Sequence, residues 1–540
     1  MDGHIHKKDG PWNYKSHNSI LLLTGIFILL FLLAKVPTPE YFLSDSDGGC
    51  QLAGAMQISF GGHPFIDFRS TYGPLTFYAS ALGQILSGNR IIGEIILIVV
   101  GYGVAYLLLF ELFFGASRKL SISSICLCFA LLLMPRFYKY YIILGPILAL
   151  YSAWKYIDNR STKSFLFMSF AVAITGLYRF DFGIYTALCG LTTIILTNSK
   201  QNIAKLLKPV GVFLLVIVGL ASPWLLWGLY KGGLANYVGD TLSGILNQGV
   251  GLSLPFPRYK FTESVISNGN ITFGLFVFYN IIPATSLAVL FTLKEKLSQN
   301  EKYKIFATLI LAQLTLIQAA HRSDFGHLLQ SIPIGFVLIA WLLGVTTRTY
   351  VKTTWKTRKW LSACMAVFVF VAGATVVLST HSGMLPDKNI NDVFMNLKSL
   401  RRSNDKILRY VKAHDPENEY VLVIDYVTNN TYQDSVILAI PYSTSLYYFA
   451  GRKFGGGQMV QAPGSFSSEN DQRIMVEKLK SEHVELIVEI PDFSYDGLES
   501  RKMSNFAPIV TQYVSENYAE VNRVGKFSIK AHRERTKQGT

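Results

Sequence analysis

Eleven blocks of predominantly apolar residues, at 19–35, 91–114, 122–134, 141–156, 165–177, 184–196, 210–229, 271–293, 305–319, 329–345 and 360–378, constrain this chain more than any other feature. A helix needs about 20 such residues to cross a hydrocarbon core of roughly 30 Å. In lipid every backbone N–H and C=O must be satisfied within its own segment, so isolated blocks of this kind are expected to be helices. The third, fifth and sixth blocks are short, and a short helix is accommodated by bilayer thinning or by burial among its neighbours. Half of the 540 residues are hydrophobic. The expectation is a multi-pass α-helical membrane protein with about eleven transmembrane helices.

From about residue 381 the composition becomes that of a soluble domain. Helix-like segments at 392–414 and 471–482 alternate with strand-like runs at 420–426 and 484–489, and a last helix and strand are expected near 508–518 and 524–529. Alternation of this kind predicts a small α/β layer structure. The chain therefore divides into a tail (1–18), a membrane domain (19–380) that includes a long first loop (38–90), and a C-terminal α/β domain (381–540).

The formal net charge is +15, and its distribution decides what it is for. Basic residues fall in every second loop: Lys7, Lys8 and Lys15; Arg118 and Lys119; Lys155, Arg160 and Lys163; Lys200, Lys205 and Lys208; Lys294, Lys296, Lys302 and Lys304; Arg348, Lys352, Lys356, Arg358 and Lys359. This is the positive-inside pattern, which puts the N-terminal tail in the cytoplasm and, with an odd number of spans, the C-terminal domain outside. Charge spread over membrane loops does not make a nucleic-acid-binding patch. The block at 19–35 is followed by no small-residue cleavage site and reads as a retained signal anchor. Of the five cysteines, Cys126, Cys128, Cys189 and Cys364 lie in apolar blocks and Cys50 stands alone in a polar loop, so neither a disulfide nor a metal framework is expected. Asn429-Asn430-Thr431 matches a glycosylation sequon, a pattern common by chance.

The same topology gathers five polar features on the outer face, where ionisable groups at a membrane edge are costly and indicate function. Asp45 and Asp47 lie in Ser-Asp-Ser-Asp-Gly-Gly, which suits a carboxylate that accepts a proton from an attacking hydroxyl and equally suits ordinary turn chemistry. Arg136 and Lys139, among aromatics, are candidate ligands for a phosphate, or snorkel to headgroups. Arg179 and Asp181 read as a buried ion pair fixing two helices, with Arg179 facing a phosphate as the functional alternative. In His321-Arg322-Ser323-Asp324-Phe325-Gly326-His327, Asp324 would complement a helix dipole, and Arg322, Asp324 and His327 are candidate substrate contacts. The histidine and aspartate spacing there is not diagnostic of zinc. The loop 231–270 reads as structureless, either a lid or a headgroup-resting segment, with Arg258 and Lys260 as candidate phosphate contacts.

Asp47-Gly-Gly-Cys-Gln51, then Gly61-Gly62-His63-Pro64-Phe65-Ile66-Asp67-Phe68 and Tyr72-Gly73-Pro74-Leu75, resemble the first outer loop of GT-C glycosyltransferases. Within that class they are most similar to bacterial members related to protein O-mannosyltransferases and aminoarabinose–lipid A transferases. The resemblance implies a multi-helix membrane core, a polyprenyl-phosphate-linked sugar donor and Asp47 as the catalytic carboxylate, with Asp45 as second candidate. Gly48 stands where many relatives carry Glu, which counts against a two-carboxylate, metal-assisted site; Mg²⁺ or Mn²⁺ at Asp45 and Asp47 is the only cofactor in view. Asp67 is assigned to loop structure. Arg322-x-Asp324-x-x-His327 also resembles an outer-loop pattern of these relatives, and the stretch from Ala439 to Arg452 resembles part of their outer domains, where it is expected to assist acceptor binding.

The function so implied is inverting transfer of a sugar from a polyprenyl-phosphate donor to a hydroxyl of a lipid-linked or cell-surface glycan, on the outer face of a bacterial cytoplasmic membrane. Two rivals remain. A lipid or glycan transporter would usually show inverted repeats and midplane charges, whereas this chain shows no repeat and places its charges at the edge. A glycan polymerase or ligase using a lipid-diphosphate donor is countered by the Asp-containing first loop.

Overall fold

A computed structural model describes residues 14–199, 202–265, 267–349, 390–464, 466 and 468–534. The first ten apolar blocks are helices: α1 (Tyr14–Ala34), α5 (Ile91–Ser117), α6 (Leu120–Leu132), α7 (Tyr140–Asn159), α8 (Thr162–Tyr178), α9 (Phe180–Thr197), α10 (Ile203–Tyr230), α12 (Asn268–Thr292), α13 (Gln299–His321) and α14 (Phe325–Thr349). The eleventh block, 360–378, lies outside the described residues. Seven of these helices, α1, α5, α9, α10, α12, α13 and α14, are long and apolar enough to cross a membrane by themselves. Helices α6 and α8 are apolar but short. Helix α7 is buried on most of its faces, packed against α5, α8, α9 and α13. It needs little lipid-facing apolar surface, which accounts for its weaker hydropathy. By contrast α1 and α10 leave Leu22, Leu23, Leu30, Leu215 and Leu226 uncovered, as a lipid-facing surface requires.

Four of the basic loops expected on one side, those at Arg118, Asp158, Lys304 and Arg348, meet at one end of the bundle. Glu301, at the start of α13, faces Arg118 at 3.4 Å and Arg348 at 3.0 Å and accepts from the Trp341 indole at 3.1 Å. Nearby, Lys304 pairs with Asp158 at 2.7 Å.

At the opposite end the structure departs from the loop reading. Residues 38–90 are mostly helical: α2 (Pro39–Ser44), α3 (Ser46–Ser59) and α4 (Pro74–Ser87). Pro39 and Pro74 open the first turns of α2 and α4, Asp45 caps α3 through the Gly48 amide, and Gly88 ends α4 in the left-handed region at φ 70°. The Gly-rich composition of α3 misled the expectation. Its small residues are buried against α4, and burial outweighs their low helix propensity. The loop 231–270 is likewise not structureless, since it begins with α11 (Leu234–Gly251).

The C-terminal region carries a five-stranded sheet of order β2-β1-β3-β5-β4, formed by β1 (Val436–Ile440), β2 (Lys453–Phe454), β3 (Leu486–Glu489), β4 (Tyr518–Val524) and β5 (Phe527–His532). β1 runs parallel to β2 and β3, with Ile437 opposite Leu486, and β5 runs antiparallel to β3 and β4. The strand expected at 420–426 is instead a helix. Its β-branched run invited the strand reading, but Asn418 caps it through the Val421 amide and Val421, Ile424 and Val427 lie on one buried face. The helix expected at 392–414 breaks into Ile390–Leu400 and Asn404–His414, and the last expected strand is a hairpin turning at Gly525. β1 shows no alternation in the sequence because four of its five residues are buried, as in a short parallel strand covered on both faces.

This domain docks on the polar end of the bundle, its short helix Ser445–Ala450 packing on α2 and α3. Contact is tight at Gly49, where an added Cβ would lie 2.5 Å from the Ser445 amide nitrogen. Gly49→Ala is therefore expected to cost about 1–3 kcal/mol by overpacking. It should lower the melting temperature in detergent and expose the C-terminal domain to protease, whereas Gly211→Ala, whose Cβ meets nothing within 4 Å, should do neither.

Candidate active site

The N-terminus of α3 carries both acidic candidates, Asp45 as the cap and Asp47 in the first turn, and it favours their negative charge. Asp45 accepts the Gly48 N–H at 3.1 Å through Oδ1. Asp47 is held from three directions: its Oδ1 accepts from the Tyr442 hydroxyl, and its Oδ2 accepts from the Tyr138 hydroxyl and the Arg136 guanidinium. Its side chain is 22% exposed. Burial alone would raise its pKa, but Lys139, Arg136 and the bonds from Tyr138 and Tyr442 outweigh that and hold it at about 2. For Asp45 burial wins over the Gly48 amide bond, and the neighbouring Asp47 charge adds to it, so its pKa rises to about 6.

Lys139 stands between this cluster and a second one. It is only 6% exposed and its ammonium lies 5.4 Å from the centre of the Tyr138 ring, yet it forms no ion pair among the described residues. Burial lowers its pKa to about 8, opposed by the fields of Asp47 and Asp324. In the second cluster Asp324 accepts the His327 amide at 2.8 Å, the His327 Nδ1 lies 2.8 Å from its Oδ2, and Arg322 Nε reaches the same oxygen at 3.2 Å. Burial would raise the Asp324 pKa, but the His327 bonds and Arg322 hold it at about 2. Arg322 also donates to Asp496 of the C-terminal domain at 2.6 Å, and Arg501 completes that contact.

The remaining candidates sort cleanly. Arg179 and Asp181 form the buried ion pair, at 2.8 Å, and the Arg179 charge reaches Lys139, so the pair belongs to the same end of the bundle. Asp67 closes its own turn by accepting the His63 amide at 2.7 Å. Arg258 is exposed and, among the described residues, contacts neither carboxylate cluster, while Lys260 pairs with Glu263 at 2.7 Å. Exposed His321 does not join Asp324 and His327, and the described residues hold no group of three His, Cys, Asp or Glu side chains suited to a metal. The donors around Asp47 are a guanidinium and two phenols, which occupy the positions a Mg²⁺ or Mn²⁺ would need. The donor set does not fit that ion.

A cleft of about 470 Å³ opens beside the acidic turn. Tyr41, Asp45, Asp47 and Arg136 line it on the membrane side, and Tyr420, Tyr442, Phe493 and Lys526 on the side of the C-terminal domain. Sequence reasoning missed Tyr138, Tyr420 and Lys526 entirely and cast Tyr442 as a remote acceptor contact. The only available signal was its place in the Pro-Tyr-Ser-Thr-Ser stretch; nothing in the sequence pairs it with a carboxylate 395 positions away.

No family model and no curated protein matches this sequence. Solved structures do match. ArnT from Cupriavidus metallidurans bound to undecaprenyl phosphate is similar over 96% of this chain and 98% of its own, at 12% identity and a TM-score of 0.50. Its apo form gives 13% identity and 0.47 over the same shares of the two chains. The oligosaccharyltransferase of Archaeoglobus fulgidus, in complex with Zn and sulfate, gives 12% identity and 0.45 over 95% of this chain and 73% of its own. ArnT, an aminoarabinose–lipid A transferase, is a GT-C glycosyltransferase. The chain thus has the GT-C fold, a multi-pass helical membrane domain with an α/β domain after it.

Lys139 supplies a direct check on the site's electrostatics. Its folded pKa of about 8 lies below the ordinary 10.5, so between those values the unfolded chain binds the extra proton and this residue adds stability as pH rises. Lys139→Met should lose that alkaline limb in a melting-temperature profile. At pH 7 it should melt no lower than the wild type, because a lone buried charge is removed.

Proposed function

We propose that this chain is an inverting glycosyltransferase that moves a sugar from a polyprenyl-phosphate-linked donor to a hydroxyl of a lipid-linked or cell-surface glycan. The reaction takes place at the outer face of a bacterial cytoplasmic membrane, with the N-terminus inside and the C-terminal domain outside. The observation that carries this reading is the buried ammonium of Lys139, which has no ion pair among the described residues and is set between two carboxylate clusters at the membrane edge. Such a charge calls for an anion that arrives with the substrate. A lipid phosphate satisfies it, and ArnT, which shares the fold, has been captured with undecaprenyl phosphate.

The chemistry follows from the groups at hand. The leaving group is a phosphate, and Lys139 and Arg136, with Arg179, Arg322 and His327 around them, stabilise the charge that develops on it. Asp324 orients Arg322 and His327. The acceptor enters the cleft between the two domains, where a carboxylate of the acidic turn takes the hydroxyl proton as the anomeric carbon is attacked from the face opposite the phosphate. No metal step is needed in this scheme.

Two measurements test the reading. Lys139→Met and Arg136→Gln should each weaken undecaprenyl phosphate binding about tenfold or more, ~1.4 kcal/mol, while Arg258→Gln leaves it within about twofold. In reconstituted vesicles, labelled lipid-linked sugar should appear in a new glycosidic bond; movement across the bilayer without bond formation would mark a transporter instead.

A further inference from the structure

We infer that Asp45 is the base that deprotonates the acceptor, and that Asp47 is a fixed anion whose work is to hold Arg136, Tyr138 and Tyr442 in place. This rests on the glycosyl-transfer reading above and exchanges the roles that the sequence resemblance implies. A general base must present a free lone pair to an incoming O–H. Asp47 is already engaged on both oxygens, since three donors from two domains converge on it and Oδ2 takes two of them. Protonating it would cost those charge-assisted bonds at once.

Asp45 differs on each count. It lines the same cleft and takes two donors rather than three, the Gly48 amide on Oδ1 and the Tyr41 hydroxyl. Its Oδ2 lies over Gly48 in space that exists because that residue has no side chain; a Cβ there would collide with it. The groups facing Asp45 are the Tyr41 hydroxyl from α2, Asp47 from α3 and Arg136 from the turn before α7. Asp47 and burial raise its proton affinity, while Arg136, Tyr41 and the Gly48 amide moderate it, leaving a carboxylate that titrates near 6, close to the range a base needs. Asp47, at about 2, would stay ionised throughout. In the step itself the acceptor oxygen bonds to the anomeric carbon, its proton passes to Asp45 Oδ2, and the anomeric carbon–oxygen bond breaks with its electron pair leaving on polyprenyl phosphate.

Gly48→Ala isolates the idea. The added methyl displaces the Asp45 carboxylate and meets no donor to Asp47 closer than the Tyr138 Cβ at 3.6 Å; the helix propensity of alanine offsets part of the lost Asp45 cap, and the melting temperature of each variant is measured beside its activity. Purified protein is given a panel of undecaprenyl-phosphate-linked monosaccharides with a membrane-glycan extract, and release of undecaprenyl phosphate is followed from pH 5 to 8. The expected wild-type rate falls tenfold per unit below about pH 6. Asp45→Asn should lose about 10²-fold or more while still binding undecaprenyl phosphate, and Gly48→Ala should lose at least tenfold and shift the acid limb. A rate that stays flat to pH 5, or full activity in both Asp45→Asn and Gly48→Ala beside a dead Asp47→Asn, would overturn the assignment. Failure of the wild type to release product from any donor that it binds would overturn the transfer reading itself.

Discussion

The carboxylate of Asp47 joins the two halves of this molecule, and the rest of the site depends on that junction. Two of its donors, Arg136 and Tyr138, come from the turn between α6 and α7, and the third, Tyr442, comes from the C-terminal domain. A mostly buried carboxylate at a membrane edge is costly unless it is paired and hydrogen-bonded. Here the compensation is spread over both domains, so neither can hold the site alone. The surrounding contacts have the same character: Ser46 donates to the Tyr442 carbonyl at 2.8 Å, Thr444 donates back to the Ser46 carbonyl, and Ser445 donates to the Leu43 carbonyl. Gly49 lets that turn reach the backbone of α3.

A second set of ion pairs ties the outer elements to this junction. Arg69 donates to Asp240 of α11 at 2.7 Å and also bonds Asp471 of the C-terminal domain, while Asp496 takes Arg322 on one side and Arg501 on the other. Both of these networks cross from the membrane domain to the C-terminal domain. Lys139 alone among the described cations at the centre of the site is buried with no carboxylate partner. That imbalance is what a substrate phosphate would correct, and it costs stability in its absence, a pattern expected where function rather than folding has set the residue.

Much of the membrane domain was legible in the sequence because helices in lipid announce themselves by length and composition, and the alternation of basic loops has its counterpart in the Glu301 and Lys304 pairs at one end. The acidic turn, the Arg179–Asp181 pair and the helix-capping role of Asp324 were legible for local reasons: each is a short-range pattern with a short-range partner. What was hidden is long-range. Helix α3 looked like a loop because only tertiary burial rescues its glycines, the helix at Glu419–Asn430 looked like a strand because its cap lies outside the apolar run, Tyr138 meets Asp47 across 91 positions of the membrane domain, and Tyr420, Tyr442 and Lys526 reach the cleft only through the docking of the two domains.

The central claim is that the C-terminal domain completes the site through Asp47 rather than merely standing over it. A double-mutant cycle on undecaprenyl phosphate affinity, using Asp47→Asn and Tyr442→Phe with the double variant, tests this directly. Groups in one network couple by about 0.5–3 kcal/mol, and independent ones add within about 0.5 kcal/mol. A coupling above about 1 kcal/mol is the result expected here; additive effects would contradict the account and return Tyr442 to the role of a distant acceptor contact.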